Sequence, residues 1–171
     1  MMRLETLMWL FPMAFMIHDF EEIIFFPSWL TKNIDNIRAK YPRIAKMVQS
    51  RLGNLSSASF ALAVFEEFIV LVVLTFVCVE YDFYSFYATL VAAYLFHVLV
   101  HVIQSIALQR YIPAVGSAVL TAIYCVYTLY VLDSIGYLNW QYIWRALPIV
   151  IIAMVLNLFF AHWVSAKYGV L

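Results

Sequence analysis

The chain has 171 residues, of which 66% are hydrophobic and 12% charged, with ten basic and ten acidic side chains and a formal net charge of zero. Soluble domains carry about a quarter of their residues as charge, so this composition excludes a water-soluble globular protein and points to an integral membrane protein. The two cysteines, Cys78 and Cys125, lie inside apolar runs and do not make a disulfide framework or a zinc knuckle.

A helix needs about 20 apolar residues to cross a bilayer, and the first such window runs over 7–26, with Pro27 and Ser28 expected to end it. A connector follows over about 28–56. Between Thr31 and Asn54 it carries Lys32, Arg38, Lys40, Arg43, Lys46 and Arg51 against a lone Asp35. Such basic enrichment marks a cytoplasmic connector, which predicts the N terminus outside and the C terminus inside. Ile34, Ile37, Ile44, Val48 and Leu52 recur at roughly helical spacing opposite the basic residues, as in a helix lying in the headgroup region, with Pro42 bending or dividing it. The same segment also reads as a solvated basic loop that obeys the positive-inside rule.

Further windows run over 57–79, 84–108, 113–132 and 143–165. Glu80 and Asp82 separate the second from the third, Pro113 opens the fourth, and Gly136 and Asn139 mark the last loop. No long repeat or composition change divides the chain. The expected fold is a single all-α domain over 1–171, a polytopic membrane helix bundle with about five transmembrane helices and an interfacial amphipathic helix between the first and second. Trp29, Tyr81, Tyr84, Tyr137, Trp140 and Trp163 cluster near the span ends as an aromatic belt.

Ionisable residues inside the spans need a reason, because each costs several kcal/mol in hydrocarbon unless it pairs, binds an ion or lines a wet cavity. The first span holds His18, Glu21 and Glu22, which share one helix face, with Asp19 on its flank. The second holds Glu66 and Glu67, and the third His97 and His101. Counted at ~1.5 Å per residue from Phe26, Leu55 and Leu108, all seven fall in the cytoplasmic half of the bundle. His97-x-x-x-His101 lets two imidazoles reach one ion from the same face. Neighbouring helix residues differ in direction by about 100°, so one glutamate of each pair, Glu22 and Glu67, is expected to face the ion and serve as catalytic carboxylate. Imidazole with carboxylate suits zinc, iron or manganese. One ion, or two held as in carboxylate-rich bundles, fits the donor count equally. Tyr94, Gln104, Tyr124 and Asn157 support ligands or make interhelical hydrogen bonds, and His162 is interfacial.

His18-x-x-Glu21-Glu22, His97-x-x-x-His101 and Tyr111-Ile112-Pro113 together resemble the HXXEE-motif family of small integral membrane proteins, across most of the chain. The resemblance implies the architecture and the importance of these positions but supplies no reaction. His97 stands where the family pattern has Asn, and Ala114 stands where Gly follows the Tyr-x-Pro, which leaves a tight backbone requirement after Pro113 open. Tyr111 either frames an entrance beneath the polar layer or marks a helix start.

Three functions are compatible with these residues. One is a membrane metalloenzyme, hydrolase or oxidoreductase, using a zinc or iron ion on a lipid-like substrate reached from the membrane. A second is a metal-ion or proton transporter or sensor using the same cluster, weakened by the lack of an inverted repeat. A third is a structural metal or buried hydrogen-bond network. No Gly-rich nucleotide loop, nucleophile elbow or basic aromatic face for nucleic acid is present, and membrane lipid is the expected partner.

Overall fold

A computed structural model describes residues 3–52 and 56–168. Among them the fold is all-α, with six helices: α1 (Leu4–Lys40), α2 (Pro42–Leu52), α3 (Ser57–Glu80), α4 (Tyr84–Leu108), α5 (Val115–Ser134) and α6 (Trp140–Tyr168). Four of them, α3, α4, α5 and α6, are long and apolar enough to cross a membrane, as a multi-pass membrane protein requires. Their bounds fall close to the predicted windows. Leu55, the reference for the depth of Glu66 and Glu67, lies outside the described residues.

The first boundary differs from expectation. Pro27 does not end α1 but sits inside it, and the helix runs on to Lys40. An interior proline costs roughly 3 kcal/mol, and burial beyond it offsets that cost: Leu30, Ile37 and Ala45 form a small core of their own, closed by Trp29, Val48 and Leu108. The 37 residues of α1 extend about 56 Å, nearly twice the ~30 Å thickness of a bilayer's hydrocarbon. The connector is therefore mostly helix. It breaks at Tyr41, and Pro42 begins α2, the division expected of that proline.

A second proline, Pro12, also lies inside α1. Having no N–H, it leaves the carbonyl of Met8 without its helical donor. The Tyr87 hydroxyl of α4 donates to that carbonyl at 3.1 Å, and the Tyr124 hydroxyl of α5 donates to Leu7 O at 2.9 Å. Phe11 packs edge-on against Tyr87 and Tyr94 with ring centroids 5.8 and 5.5 Å apart. These contacts fix α1 against α4 and α5 at the centre of the main core, which also contains Met8, Val91, Val98 and Cys125.

The outward faces are apolar. On α1, Trp9, Met13, Ile17, Phe20 and Ile24 are exposed at spacings of three and four residues, while His18, Asp19 and Glu22 on other faces are buried. On α3 the exposed stripe is Phe65, Ile69, Val73 and Phe76. Apolar outside and polar inside is the arrangement that lipid favours.

Candidate metal centre

Adjacent positions on α1 deliver its two motif glutamates to different neighbours. Glu21 and Glu22 point about 100° apart, so they cannot share a partner. Glu22 turns toward α4, where its Oε1 lies 3.0 Å from His101 Nε2. Glu21 turns toward the start of α5, where its Oε2 accepts from the Ser117 backbone N–H and from the Ser117 hydroxyl, both at 2.7 Å, and its Oε1 accepts from the Tyr111 hydroxyl. A carboxylate at a helix N-terminus meets unpaired N–H groups and the positive end of the dipole. Burial and this bond raise the Tyr111 phenol above its ordinary range, so it remains a donor at neutral pH.

The chain before α5 is shaped to receive Glu21. Ala114, fully buried, caps α5 in the left-handed region at φ 89°, the conformation that glycine adopts at least cost. α5 accordingly begins at Val115, two residues after Pro113. At Gly116 a Cβ would stand 3.2 Å from the Tyr111 oxygen and 3.3 Å from Glu21 Oε2. Tyr111, Ala114, Gly116 and Ser117 thus form one receptor. Of these, the sequence pattern exposed only Tyr111 and the position after Pro113; Gly116 and Ser117 have no distinguishing context in an apolar helix start.

Ser117 connects this receptor to the histidines. Its hydroxyl donates to Glu21, so at 3.2 Å from His18 Nδ1 it acts as acceptor. The network then assigns the hydrogen of His18 to Nδ1 and leaves the Nε2 lone pair free. His18 is fully buried, and its Nε2 has no hydrogen-bond partner. His97 and His101 complete the cluster from α4, with ring centroids 5.6 and 5.1 Å from His18. Tyr94 stacks on His97 at 6.0 Å.

One ligand atom from each of His18, Glu22, His97 and His101 falls within 4.8 Å of every other. His101 Nε2 carries at most one hydrogen, yet it faces Glu22 Oε1 at 3.0 Å and His97 Nε2 at 3.2 Å. Those separations approach the edge, about 3.4 Å, of a tetrahedron of donors around an ion at ~2.1 Å. The unpartnered Nε2 of His18 supplies a further donor. These four residues could hold a metal ion.

The other predicted residues lie around the cluster. Glu67, on α3, is not among the four donors; it stands within electrostatic reach of Asp19 and Glu22 and has a buried Oε1 without a hydrogen-bond partner. Asp19 is buried with an unpartnered Oδ2. Glu66 turns away from the cluster and accepts from Asn157 Nδ2 of α6 at 3.1 Å, an interhelical bond. The fourth histidine, His162, stacks on Phe60 at 5.9 Å.

Long helices with outward apolar surfaces, enclosing three imidazoles and a carboxylate whose ligand atoms lie within 4.8 Å of one another, define a membrane protein with a candidate metal centre. The family described as "Protein of unknown function with HXXEE motif" matches residues 9–128. The chain belongs to that family, and the matched segment contains His18, Glu22, His97, His101 and the whole Glu21 receptor. No curated protein and no solved structure matches it.

Proposed function

We propose that this protein is a membrane metalloenzyme in which His18, Glu22, His97 and His101 hold one divalent ion, zinc or iron, and act on a lipid-like substrate. The observation that carries this is the convergence of four ligand atoms from α1 and α4 within 4.8 Å, with the Ser117 hydroxyl bridging Glu21 and His18 Nδ1 behind them. Three imidazoles with one carboxylate suit either ion, and three histidines alone are the donor set of sites that leave a position for water, which makes Glu22 the exchangeable donor. A divalent ion bound here supplies Lewis acidity and lowers the pKa of water.

Glu67 is the general base in this reading. It lies beside the four donors, outside them, and its unpartnered Oε1 is free to accept a proton. Asp19 next to it provides a further site for that proton to move on. The substrate is lipid-like because α1 carries its motif residues inside an apolar helix, whose outer face bears Met13, Ile17 and Phe20. In this account α1 is the fifth span beside the other four, α2 lies in the headgroup layer, and the basic end of the bundle is cytoplasmic.

The test is turnover of lipids by the metal-loaded protein in nanodiscs, followed by mass spectrometry. Glu67→Gln should bind metal normally and lose about 10²–10⁴-fold in rate. A metal-loaded wild type that alters no lipid contradicts the enzymatic reading. Ion flux into proteoliposomes in that case would favour transport by the same cluster.

A further inference from the structure

We propose that a basic cavity between α1 and α4 binds the phosphate-bearing headgroup of an anionic lipid. The cavity, about 280 Å³ in volume, lies where α1 emerges beyond the end of α4. Lys40, Arg110, Asn33 and Asn36 line it over an apolar floor of Ile37 and Leu108, and no carboxylate does.

Its two cations are held in place with donors to spare. Lys40 Nζ donates to Ala107 O at 2.8 Å, at the negative end of α4, which uses one of its three N–H bonds. Arg110 is brought round by Gln109, left-handed at φ 54°, and its Nη1 donates to Asn33 Oδ1 at 3.1 Å. Asn33 is itself fixed through its Nδ2, which donates to Trp29 O at 2.8 Å. Four of the five guanidinium hydrogens remain for an anion. Fixed cations and amides without a competing acid are the chemistry of a phosphate site.

Location selects a lipid over a soluble anion. On the reading of α1 as the fifth span, which this proposal rests on, the cavity opens just past the hydrocarbon, among a basic population (Lys32, Arg38, Lys40, Arg43, Lys46 and Arg110) relieved by Asp35. Basic pockets between helices at that level take anionic headgroups. Ile103 and Ile106, among the most exposed apolar residues of α4, lie one to two turns up the helix, where acyl chains would run. The volume is just below that of small-molecule pockets, which begin near 300 Å³, so it suits one headgroup.

The experiment is thermal unfolding of the full chain in neutral detergent, with added phosphatidylglycerol, phosphatidylcholine or inorganic phosphate. Phosphatidylglycerol should raise the midpoint by several degrees and phosphatidylcholine should not. The shift should vanish in Lys40→Gln/Arg110→Gln and survive in Lys32→Gln/Lys46→Gln, which removes the same charge elsewhere. Asn36→Trp, which fills the cavity and keeps every charge, should also abolish it. An equal shift in all variants would assign the effect to diffuse charge and overturn the proposal. So would inorganic phosphate reproducing the full shift, since the site would then serve a soluble anion.

Discussion

Glu21 and Glu22 are adjacent, yet one organises a helix start and the other faces the histidines. Their separation in direction was legible in the sequence, because consecutive helix positions cannot share a target. The partner of Glu21 was not legible, since a glycine and a serine opening an apolar helix resemble any other small residues. Ser117→Ala tests the chain from Glu21 to His18. Removing the hydroxyl frees the His18 tautomer, and the affinity for a divalent ion should fall about 10–100-fold, as when a partner behind a metal-binding histidine is lost. Competition against a fluorescent chelator measures this, and unchanged affinity would remove Ser117 from the account. Ala114, left-handed and buried, gives a contrasting result. Ala114→Gly relieves the backbone while losing a buried methyl, so it should be nearly neutral, whereas Ala118→Gly inside α5 should cost about 1 kcal/mol or more.

The four long apolar helices were legible because lipid imposes length and composition on each. What happens at a proline inside such a helix was not, because it depends on distant partners. Pro27 read locally as a terminator, but Leu30 and Ile37 bury against α2 and the end of α4 and carry the helix through. Pro12 is tolerated because Tyr87 donates to the carbonyl it leaves unpaired. Tyr87→Phe should therefore destabilise the protein by about 1–3 kcal/mol, the cost of leaving a buried acceptor unsatisfied. Thermal or denaturant unfolding in detergent measures the loss. A stability equal to wild type would mean that Met8 O finds another donor.

Charge divides the chain by end. Lys32, Arg38, Lys40, Arg43, Lys46, Arg110 and Lys167 belong to one end, with Asp35 among them, while Glu5, Glu80, Asp82 and Asp133 belong to the other, with Arg3 and Arg145 among them. By the positive-inside rule we propose that the basic end is cytoplasmic. A cysteine introduced at Lys46 should react with a membrane-impermeant maleimide only from the cytoplasmic face, and one at Asp82 only from outside; the reverse pattern would invert the topology. That polar residues of α1 and α4 meet was readable from spacing. Which helices meet required their packing: α1 and α4 bring the four possible ligand atoms together, α5 receives Glu21 and contacts His18, and α3 carries Glu67.

The convergence of His18, Glu22, His97 and His101 on one ion is tested by the metal content of the protein purified without added metal, measured per chain by plasma mass spectrometry. The wild type should carry close to one equivalent of a transition metal, and folded His97→Ala/His101→Ala should carry essentially none. A wild type without stoichiometric metal, or a double variant that retains it, would contradict the assignment of these four residues as a metal centre.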